Sequence, residues 1–238
     1  MIKKTVFFFF FFETFLKLTL EETNGIIFLV KLCRKEGETV EVYNYNEYYL
    51  IKHLITSLKH YHYTTYLHSI RVAKLTYLVS KKLELPKDEQ IYNCKGGLLH
   101  DIGKVLVPVT ILDKAGSLTE LEYEFVKIHP TYGSEMLKIF PSLKDLVPGV
   151  LYHHERLDGS GYPFGVSIIP LSAQIIGICD SFDAMTTRRP YNEKRLRNIQ
   201  EAIFELKTQS QKYNYKIVEA LEEVLWEKKE KQQRFISI

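Results

Sequence analysis

The chain has 238 residues, and its 32 Lys and Arg against 29 Asp and Glu give a formal net charge of +3. Apolar residues make up 45% and charged residues 26%, a balance that excludes wholesale disorder and fibrous structure. The small net charge argues against a protein that binds nucleic acid mainly by electrostatics. Cys33, Cys94 and Cys179 are odd in number and form no CxxC pair, so we expect a protein of the reducing cytoplasm.

The first 48 residues differ in composition from the rest of the chain. They are rich in Phe, Tyr, Val, Ile and Thr, which favour strands, and Asn24-Gly25 is a typical hairpin turn between two such runs. Thr39–Tyr45 alternates between apolar and polar residues and predicts a third strand. Residues 1–48 are therefore predicted to form a small β-rich module, in which we find no catalytic motif.

The longest apolar run, Val6–Phe12, follows two lysines, as a signal peptide would. Glu13 and Lys17 interrupt it well before the roughly 17–20 apolar residues that a membrane helix needs, and no small-residue cleavage site follows. We therefore predict neither a membrane span nor secretion.

From Glu47 onwards the apolar residues follow a helical period. Strand signals are weak, so residues 49–226 predict an all-α bundle, and residues 227–238 predict a charged tail. A capping box at Thr119–Glu122 begins one of the helices. The predicted helices lie near Tyr48–Leu58, Leu67–Leu78, Gln90–Val105, Thr119 onwards, Pro148–Arg156, Pro170–Thr186, Ile199–Gln209 and Tyr215–Lys229.

Histidine and aspartate carry the chemical signal of this region. A lone histidine is usually structural, but His100 is adjacent to Asp101 and His153 to His154. Adjacent helical residues point about 100° apart, so such a pair binds one ion only if the ion lies between helices. Imidazole and carboxylate together suit iron, manganese or zinc. A shared aspartate can bridge two ions, which activate the oxygens of a phosphoryl transfer when they lie roughly 3.5–4 Å apart.

Two features accompany these pairs. Lys104 lies four residues after His100 and is placed to hold a phosphate oxygen, although a solvated lysine at a helix end is the simpler alternative. The segment from His154 to Pro163 contains two glycines and a proline, and it predicts a tight loop that is either an ordinary turn or a pocket wall.

With these motifs the chain from Thr65 to Leu225 resembles the HD-GYP family, a branch of the HD phosphohydrolase superfamily. The resemblance implies a mainly α fold, an HD-type helical bundle that follows the small β-rich module. It also implies a bacterial phosphodiesterase that hydrolyses cyclic di-GMP to pGpG, and in some members to GMP, with a hydroxide that bridges two metal ions. The matching stretches, in family order, are His68–Ala73, Leu98–Lys104, Lys114–Glu122, His129–Leu137, His153–Pro163 and Cys179–Tyr191.

The resemblance also assigns roles to individual residues. Asp101 is the implied bridge between the ions and, with Lys104, an expected catalytic residue. Asp183 matches an acidic position that we interpret as a partner of a metal ligand. The implied metal ligands are His68, His100, Asp101, His129, His153, His154 and Asp180. The implied substrate contacts are Lys104, Asp158, Gly161, Tyr162, Pro163 and Arg189.

The expected cofactors are two transition-metal ions, iron or manganese. Thr64 stands where family members with a third ion carry a glutamate, and His60 and His62 are not at a helical spacing that would replace it, so we expect two ions. Asn192 stands where the family often has a basic residue, which predicts a weaker contact to the second phosphate. By analogy with the family, the N-terminal module is expected to be regulatory or to form a homodimer or bind a protein partner. No DNA partner is expected.

Two alternatives stay open. A catalytically weak HD-GYP-like domain would sense cyclic di-GMP or bind a protein without turnover. The chain keeps all seven positions of the two-metal centre, which favours catalysis because unused buried ligands are costly. An HD phosphohydrolase with another nucleotide substrate is the second alternative, and the DGSGYP loop argues against it.

Overall fold

The structure, a computed structural model, describes residues 42–187 and 196–236. These residues belong to one compact unit, Thr39–Ile238, and contain helices and no strand. The α-helices are α1 Val42–Tyr61, α2 Tyr63–Lys82, α3 Lys87–Leu99, α4 Val109–Leu112, α5 Glu120–Lys127, α6 His129–Lys138, α7 Val147–Tyr152, α8 Leu171–Thr186, α9 Ile199–Thr208 and α10 Tyr215–Ile236. Two 3₁₀ helices span Ile102–Leu106 and Pro141–Leu146. The predicted helical bundle is therefore confirmed.

The predicted third strand, Thr39–Tyr45, is wrong where the structure describes it. Residues Val42–Tyr45 form the first turn of α1, which continues to Tyr61 and packs against α2. Helix formation is cooperative, so the strong helical period that follows extends a helix into a short alternating segment. The β-rich module gains no support, and its residues 1–41 lie outside the described part of the chain.

The hydrophobic core lies where α2, α8, α9 and α10 pack together. Val72 and Val79 of α2 are seven residues apart and therefore share one helix face. Helix α8 is apolar around most of its circumference, as a central helix must be, with residues 175–179 all buried. Asp180 and Asp183 are the buried exceptions on α8. Because burial of a carboxylate is costly, both aspartates need charged or hydrogen-bonding partners.

The predicted helix Gln90–Val105 is divided into two elements. Helix α3 ends at Leu99, and Asp101 leaves the helical conformation with φ −98° and ψ 7° before the 3₁₀ helix begins. An ideal Cβ at Gly103 would overlap the carbonyl oxygen of His129. Only glycine therefore allows this 3₁₀ helix to contact α6, and the contact brings Asp101 next to His129.

The capping box at Thr119 is confirmed. The Thr119 hydroxyl accepts a hydrogen bond from the Glu122 amide at 3.3 Å, and Glu122 Oε2 accepts one from the Thr119 amide at 2.7 Å. The predicted helix Pro148–Arg156 is shorter than expected, because α7 ends at Tyr152 and a loop follows. Across residues 42–187 and 196–236, no helix combines the length and the apolarity needed to cross a bilayer.

Replacing Gly103 by alanine is expected to destabilise the fold by about 1–3 kcal/mol or more, because the new methyl group meets backbone atoms that cannot rotate away. Gly96→Ala is the matched control. A Cβ at Gly96 lies 2.9 Å from Ile176 Cδ1, the flexible end of a side chain, and alanine is favoured over glycine inside a helix by about 1 kcal/mol. Urea unfolding of both variants measures the difference, and equal free energies of unfolding would contradict the packing argument.

Candidate metal centre

Seven polar side chains from five parts of the bundle meet at one site. Six are buried, and His154 is half-buried. His68 comes from α2, Asp180 from α8, and the others from the ends of helices and the segments that follow them. The structure thus brings together all seven positions implied as ligands by the resemblance: His68, His100, Asp101, His129, His153, His154 and Asp180.

The first cluster consists of His68, His100, Asp101 and Asp180. His68 Nε2 lies 3.2 Å from His100 Nε2 and 3.0 Å from Asp180 Oδ1. Asp101 Oδ2 lies 3.6 Å from His68 Nε2 and 3.5 Å from His100 Nε2. Ligand atoms of His68, His100 and Asp101 all lie within 4.8 Å of one another, a spacing that can hold a metal ion, and Asp180 forms a further such group with His100 and His153.

The second cluster consists of Asp101, His129, His153 and His154. His129 Nε2 lies 3.3 Å from His153 Nε2 and 3.1 Å from Asp101 Oδ1. The ring of His154 lies 4.1 Å from that of His153 and 5.1 Å from that of His129, between centroids. Ligand atoms of the three histidines all lie within 4.8 Å of one another, a spacing that can hold a metal ion.

Asp101 is shared between the clusters. Its Oδ2 faces the first cluster and its Oδ1 faces the second. Oδ1 is buried and has no hydrogen-bond donor among the described residues. A buried carboxylate oxygen without a donor is costly, and a cation between the clusters would satisfy it. This geometry agrees with the bridging role implied for Asp101.

Hydrogen bonds fix four of the imidazole rings with the same nitrogen pointing inwards. Nδ1 of His100, His129 and His153 each donates to the main-chain carbonyl three residues earlier, at 2.8, 2.8 and 2.6 Å. Nδ1 of His68 contacts Asp183 Oδ2 at 2.7 Å. Because carbonyls only accept, the Nδ1 atoms carry the protons and Nε2 is bare in a neutral ring. Bare nitrogens 3.2–3.3 Å apart repel one another unless a cation lies between them.

Burial favours the neutral form of His100, His153 and His154, the form that binds metals. It lowers the pKa of His100 to about 4 and lowers the pKa values of His153 and His154 well below their usual range. Burial alone would raise the pKa of Asp101, but the Lys104 ammonium and the His100 ring outweigh it, and the pKa lies well below its usual range. These three imidazoles are therefore neutral and the Asp101 carboxylate is ionised at neutral pH. Imidazole nitrogen and carboxylate oxygen together form a donor set that fits iron, manganese or zinc.

Asp183 supports the first cluster from outside. Its Oδ2 accepts from His68 Nδ1, and Arg71 donates to both carboxylate oxygens at 2.7 and 2.9 Å. Burial by itself would raise the pKa of Asp183, but the contacts with His68 and Arg71 outweigh burial and lower the pKa to about 2. The interpretation of Asp183 as the partner of a ligand agrees with this geometry. Arg71 was missed, and its spacing of three residues from His68 is the signal that would have found it.

Lys104 lies inside the site. Its Nζ is 2.7 Å from Asp101 Oδ2, and the side chain is buried. The alternative of a solvated lysine at a helix end is therefore excluded. Arg189, the other cation implied to contact phosphate, lies outside the described residues, as does Asn192.

The loop after His154 is built by contacts within the protein. Asp158 is exposed, and its Oδ1 accepts from the amide and the hydroxyl of Ser160 at 3.0 and 2.7 Å. The Tyr162 ring stacks on the His154 ring, with centroids 4.5 Å apart and planes at 23°. Gly161 lies against the backbone of residues 154–156, and Pro163 is half-buried. The substrate contacts implied for these residues stay predictions.

His62 has a structural role at the start of α2. Its Nδ1 accepts from the Thr65 amide at 3.3 Å and so caps the helix. Its Nε2 lies 3.0 Å from Asp113 Oδ1. Both ring nitrogens are therefore used at the helix start, which agrees with the interpretation that His62 does not replace the glutamate missing at Thr64.

The two residues that follow the histidine pair were not singled out by sequence reasoning. Arg156 donates to the carbonyls of His153 and Glu155 at 3.1 and 2.7 Å, and its guanidinium lies 5.0 Å from the centre of the Tyr213 ring. Arg156 also donates to Ser181 on α8 at 3.3 Å. The Glu155 carboxylate accepts hydrogen bonds from main-chain amides of the loop. Glu155 and Arg156 bind mostly backbone atoms, which leave no pattern in the sequence. The one sequence signal that indicates these two residues is that they follow His153 and His154 directly.

A family profile described as HD domain matches residues 52–217. The chain belongs to the HD domain family. Among curated relatives, it is 45% identical over 142 residues to a cyclic di-GMP phosphodiesterase of Pseudomonas aeruginosa, covering 58% of this chain and 34% of the relative. A cyclic di-GMP phosphodiesterase of Thermotoga maritima is 46% identical over 116 residues, or 47% of this chain and 31% of the relative. The resemblance to the HD-GYP family is confirmed.

A third relative has a different named substrate. The chain is 42% identical over 126 residues to a 3′3′-cGAMP-specific phosphodiesterase of Vibrio cholerae, covering 52% of this chain and 27% of the relative. The chain thus spans about a third of the length of the curated relatives that it matches.

Solved structures show the same fold. An HDG"Y"P protein of Bdellovibrio bacteriovorus matches with a TM-score of 0.55 at 20% identity, over 66% of this chain and 51% of that one. The HD domain of an L. monocytogenes phosphodiesterase, solved in complex with cyclic-di-AMP, matches with a TM-score of 0.55 at 18% identity, over 72% of this chain and 92% of that one. At these identities the likeness establishes the fold of the helical region.

Asp183→Asn is expected to weaken metal binding at the first cluster by about 10–100-fold, because the amide no longer holds the His68 ring with a full negative charge. Asp145→Asn, at an exposed position, is the matched control. Titration of the metal-free protein with Mn²⁺ against a competing chelator measures the affinity. An affinity equal to that of the control would show that Asp183 does not support the ligand.

Proposed function

We propose that the chain is a metal-dependent phosphodiesterase that hydrolyses cyclic di-GMP. The observation that carries this proposal is Asp101, whose two carboxylate oxygens face two histidine clusters at distances of 3.1–3.6 Å. Two metal sites that share one carboxylate are a recurring arrangement for hydrolysis at phosphorus. The named activities of the curated relatives support the same reaction class.

The chain would hold the ions with one cluster each. His68, His100 and Asp180 would bind the first ion; His129, His153 and His154 would bind the second; Asp101 would bind both. Iron or manganese is the proposed identity. When bound, two such ions supply Lewis acidity that polarises the scissile phosphate and makes water more acidic.

Lys104 is proposed to neutralise charge on the phosphate. Its ammonium lies 2.7 Å from Asp101 Oδ2 and is therefore fixed beside the place where a phosphoryl oxygen would lie. A fixed cation in a buried site stabilises the negative charge that develops in the transition state more strongly than it would in water. Arg189 is also proposed to contact the phosphate, and Tyr162 is proposed to form part of the pocket wall.

Water is the proposed nucleophile, attacking in line and opposite the ribose 3′ oxygen, and pGpG is the first linear product. A cysteine nucleophile does not suit the site. Cys94 and Cys179 are both buried, and burial, with Asp180 and Asp183 nearby, raises the pKa of the Cys179 thiol far above neutrality. The thiolate that would attack phosphorus is therefore disfavoured.

A second candidate substrate is 3′3′-cGAMP, because the Vibrio cholerae relative that is specific for it is 42% identical to this chain. Both compounds contain the same type of phosphodiester, and the base contacts decide between them. The proposed setting for either reaction is the bacterial cytoplasm. Regulation or dimerisation through the N-terminal segment stays part of the proposal.

Asp101→Asn and His100→Ala are expected to lower the rate of cyclic di-GMP hydrolysis by more than the roughly 10–100-fold that loss of an outer partner costs, because each removes a direct ligand. His53→Ala, at an exposed position on α1, is the control and should keep the wild-type rate. Protein purified without oxygen is supplied with iron or manganese, and chromatography identifies the products from cyclic di-GMP, 3′3′-cGAMP and cyclic di-AMP.

Three results would count against the proposal in different ways. If the Asp101→Asn variant is folded, contains metal and hydrolyses cyclic di-GMP at the wild-type rate, the shared carboxylate is not needed for the reaction. Binding of cyclic di-GMP by the metal-loaded wild type without any product would favour the sensor alternative. Turnover of 3′3′-cGAMP alone would keep the phosphodiesterase and change its substrate.

A further inference from the structure

Glu155 is a buried carboxylate beside the metal centre that the proposed reaction does not use. Only 3% of its surface is exposed. Its Oε1 accepts a hydrogen bond from the Phe164 amide at 2.7 Å, and its Oε2 accepts one from the Val166 amide at 3.1 Å. Charge-assisted bonds of this kind are about twice as strong as neutral ones. Glu155 therefore fastens the far end of the loop to the segment that carries the histidine pair.

Between these two attachments the loop closes over His154. The Tyr162 amide donates to the His154 carbonyl at 3.3 Å. A Cβ at Gly161 would overlap the backbone of Glu155, so the chain passes as close as a glycine allows. The Tyr162 ring then lies flat on the His154 ring, 4.5 Å between centroids. The position of Tyr162 is thus fixed by the backbone contacts of residues 161 and 162 on one side and by the Glu155 hydrogen bonds to Phe164 and Val166 on the other.

His154 differs from the other four histidines of the centre in how its ring is held. Each of the other rings is fixed by a hydrogen bond from Nδ1. For His154, no ring hydrogen bond is found within the described residues, and its Nδ1 lies 3.9 Å from Asp180 Oδ2. Torsion about the bond to a ring has a broad minimum, so ring packing has to restrict the His154 ring. The rings of His153 and His129 lie to its sides at 4.1 and 5.1 Å, and the Tyr162 ring is the one that stacks on its face.

We propose that Glu155 is a positioning residue for the second cluster, because it fastens the loop whose Tyr162 ring holds His154 in the orientation that binds the second ion. This inference rests on the proposed two-metal centre and deepens it. The first cluster has its own support, Asp183 with Arg71, and does not depend on the loop.

Glu155→Gln tests the proposal with little change in size. One carboxylate oxygen becomes an NH₂ group that faces a main-chain N–H, so one buried amide loses its acceptor. We expect the loop to loosen and the affinity for the second ion to fall by about 10–100-fold, as for loss of other outer partners. The affinity for the first ion should not change.

Two measurements on the full chain check these effects without using activity. Hydrogen exchange of the Phe164 and Val166 amides reports whether the loop is released. Titration of the metal-free protein with Mn²⁺ reports the two affinities separately. Glu135→Gln, on the surface and paired with Lys138, is the matched control and should bind both ions as the wild type does.

Two tyrosine variants test the second step independently of Glu155. Tyr162→Ala removes the stacked ring and leaves the Glu155 bonds, and we expect it to lose the second ion as Glu155→Gln does. Tyr162→Phe keeps the ring and should retain both ions. This pair decides the stacking step even where Glu155→Gln does not fold.

The outcomes separate this inference from the function on which it rests. Faster amide exchange in Glu155→Gln with unchanged affinity for both ions would overturn the positioning role and leave the phosphodiesterase intact. Unchanged affinity in Tyr162→Ala would do the same. A wild-type chain that binds no ion would overturn both proposals together. Selective loss of the second ion in Glu155→Gln and Tyr162→Ala supports the inference.

Discussion

The burial of five imidazoles and two carboxylates around one small volume is the constraint on which the rest of the structure depends. Bare nitrogens of neighbouring rings lie 3.2 and 3.3 Å apart, and one carboxylate oxygen of Asp101 has no donor among the described residues. Such an arrangement is unfavourable unless cations neutralise it. In four of the rings, Nδ1 makes a hydrogen bond on the side away from the site. These bonds prevent the rings from rotating to relieve the repulsion between their Nε2 atoms.

Backbone packing, rather than side-chain size, sets the spacing of the ligands. Three glycines each lie where a Cβ would overlap the backbone of a ligand residue or of the residue that follows it: Gly103 against His129, Gly177 against His153, and Gly161 against Glu155. The Gly103 and Gly177 contacts each join a segment that carries one of the seven side chains to the backbone of another, and the Gly161 contact folds the loop back onto the residues that follow His154. Because protein interiors are close-packed, a methyl group at any of these points would displace a neighbouring ligand residue. A metal site tolerates only small changes in the distance between the metal and its ligand atoms, so such a displacement would matter. Of these three glycines, Gly177 lies on the apolar helix α8 and brings that helix against the backbone of His153.

The seven side chains that meet at the site could be named from the sequence through the resemblance to the HD-GYP family, whose motifs together are specific. That His100 and Asp101 bind an ion between helices stays a prediction. The break after Leu99 was not foreseen, since it depends on the close contact of Gly103 with α6. The strand predicted at Thr39–Tyr45 failed because local alternation is weaker than the propagation of α1. Glu155 was missed because its partners are main-chain amides, which leave no side-chain pattern to read.

The two clusters are supported by different means, and this difference has a thermodynamic consequence. The first cluster is held by the ion pair of buried Asp183 with half-buried Arg71, whereas His154 of the second is held by a ring on a loop with exposed residues such as Asp158 and Phe164. Under the proposed roles, the same loop contacts the substrate. A ligand that favours the closed loop then favours the second ion, and the second ion favours the ligand by the same factor, because coupling between two sites is reciprocal. Under these proposed roles, metal occupancy and substrate binding would be linked through the loop that contains Tyr162.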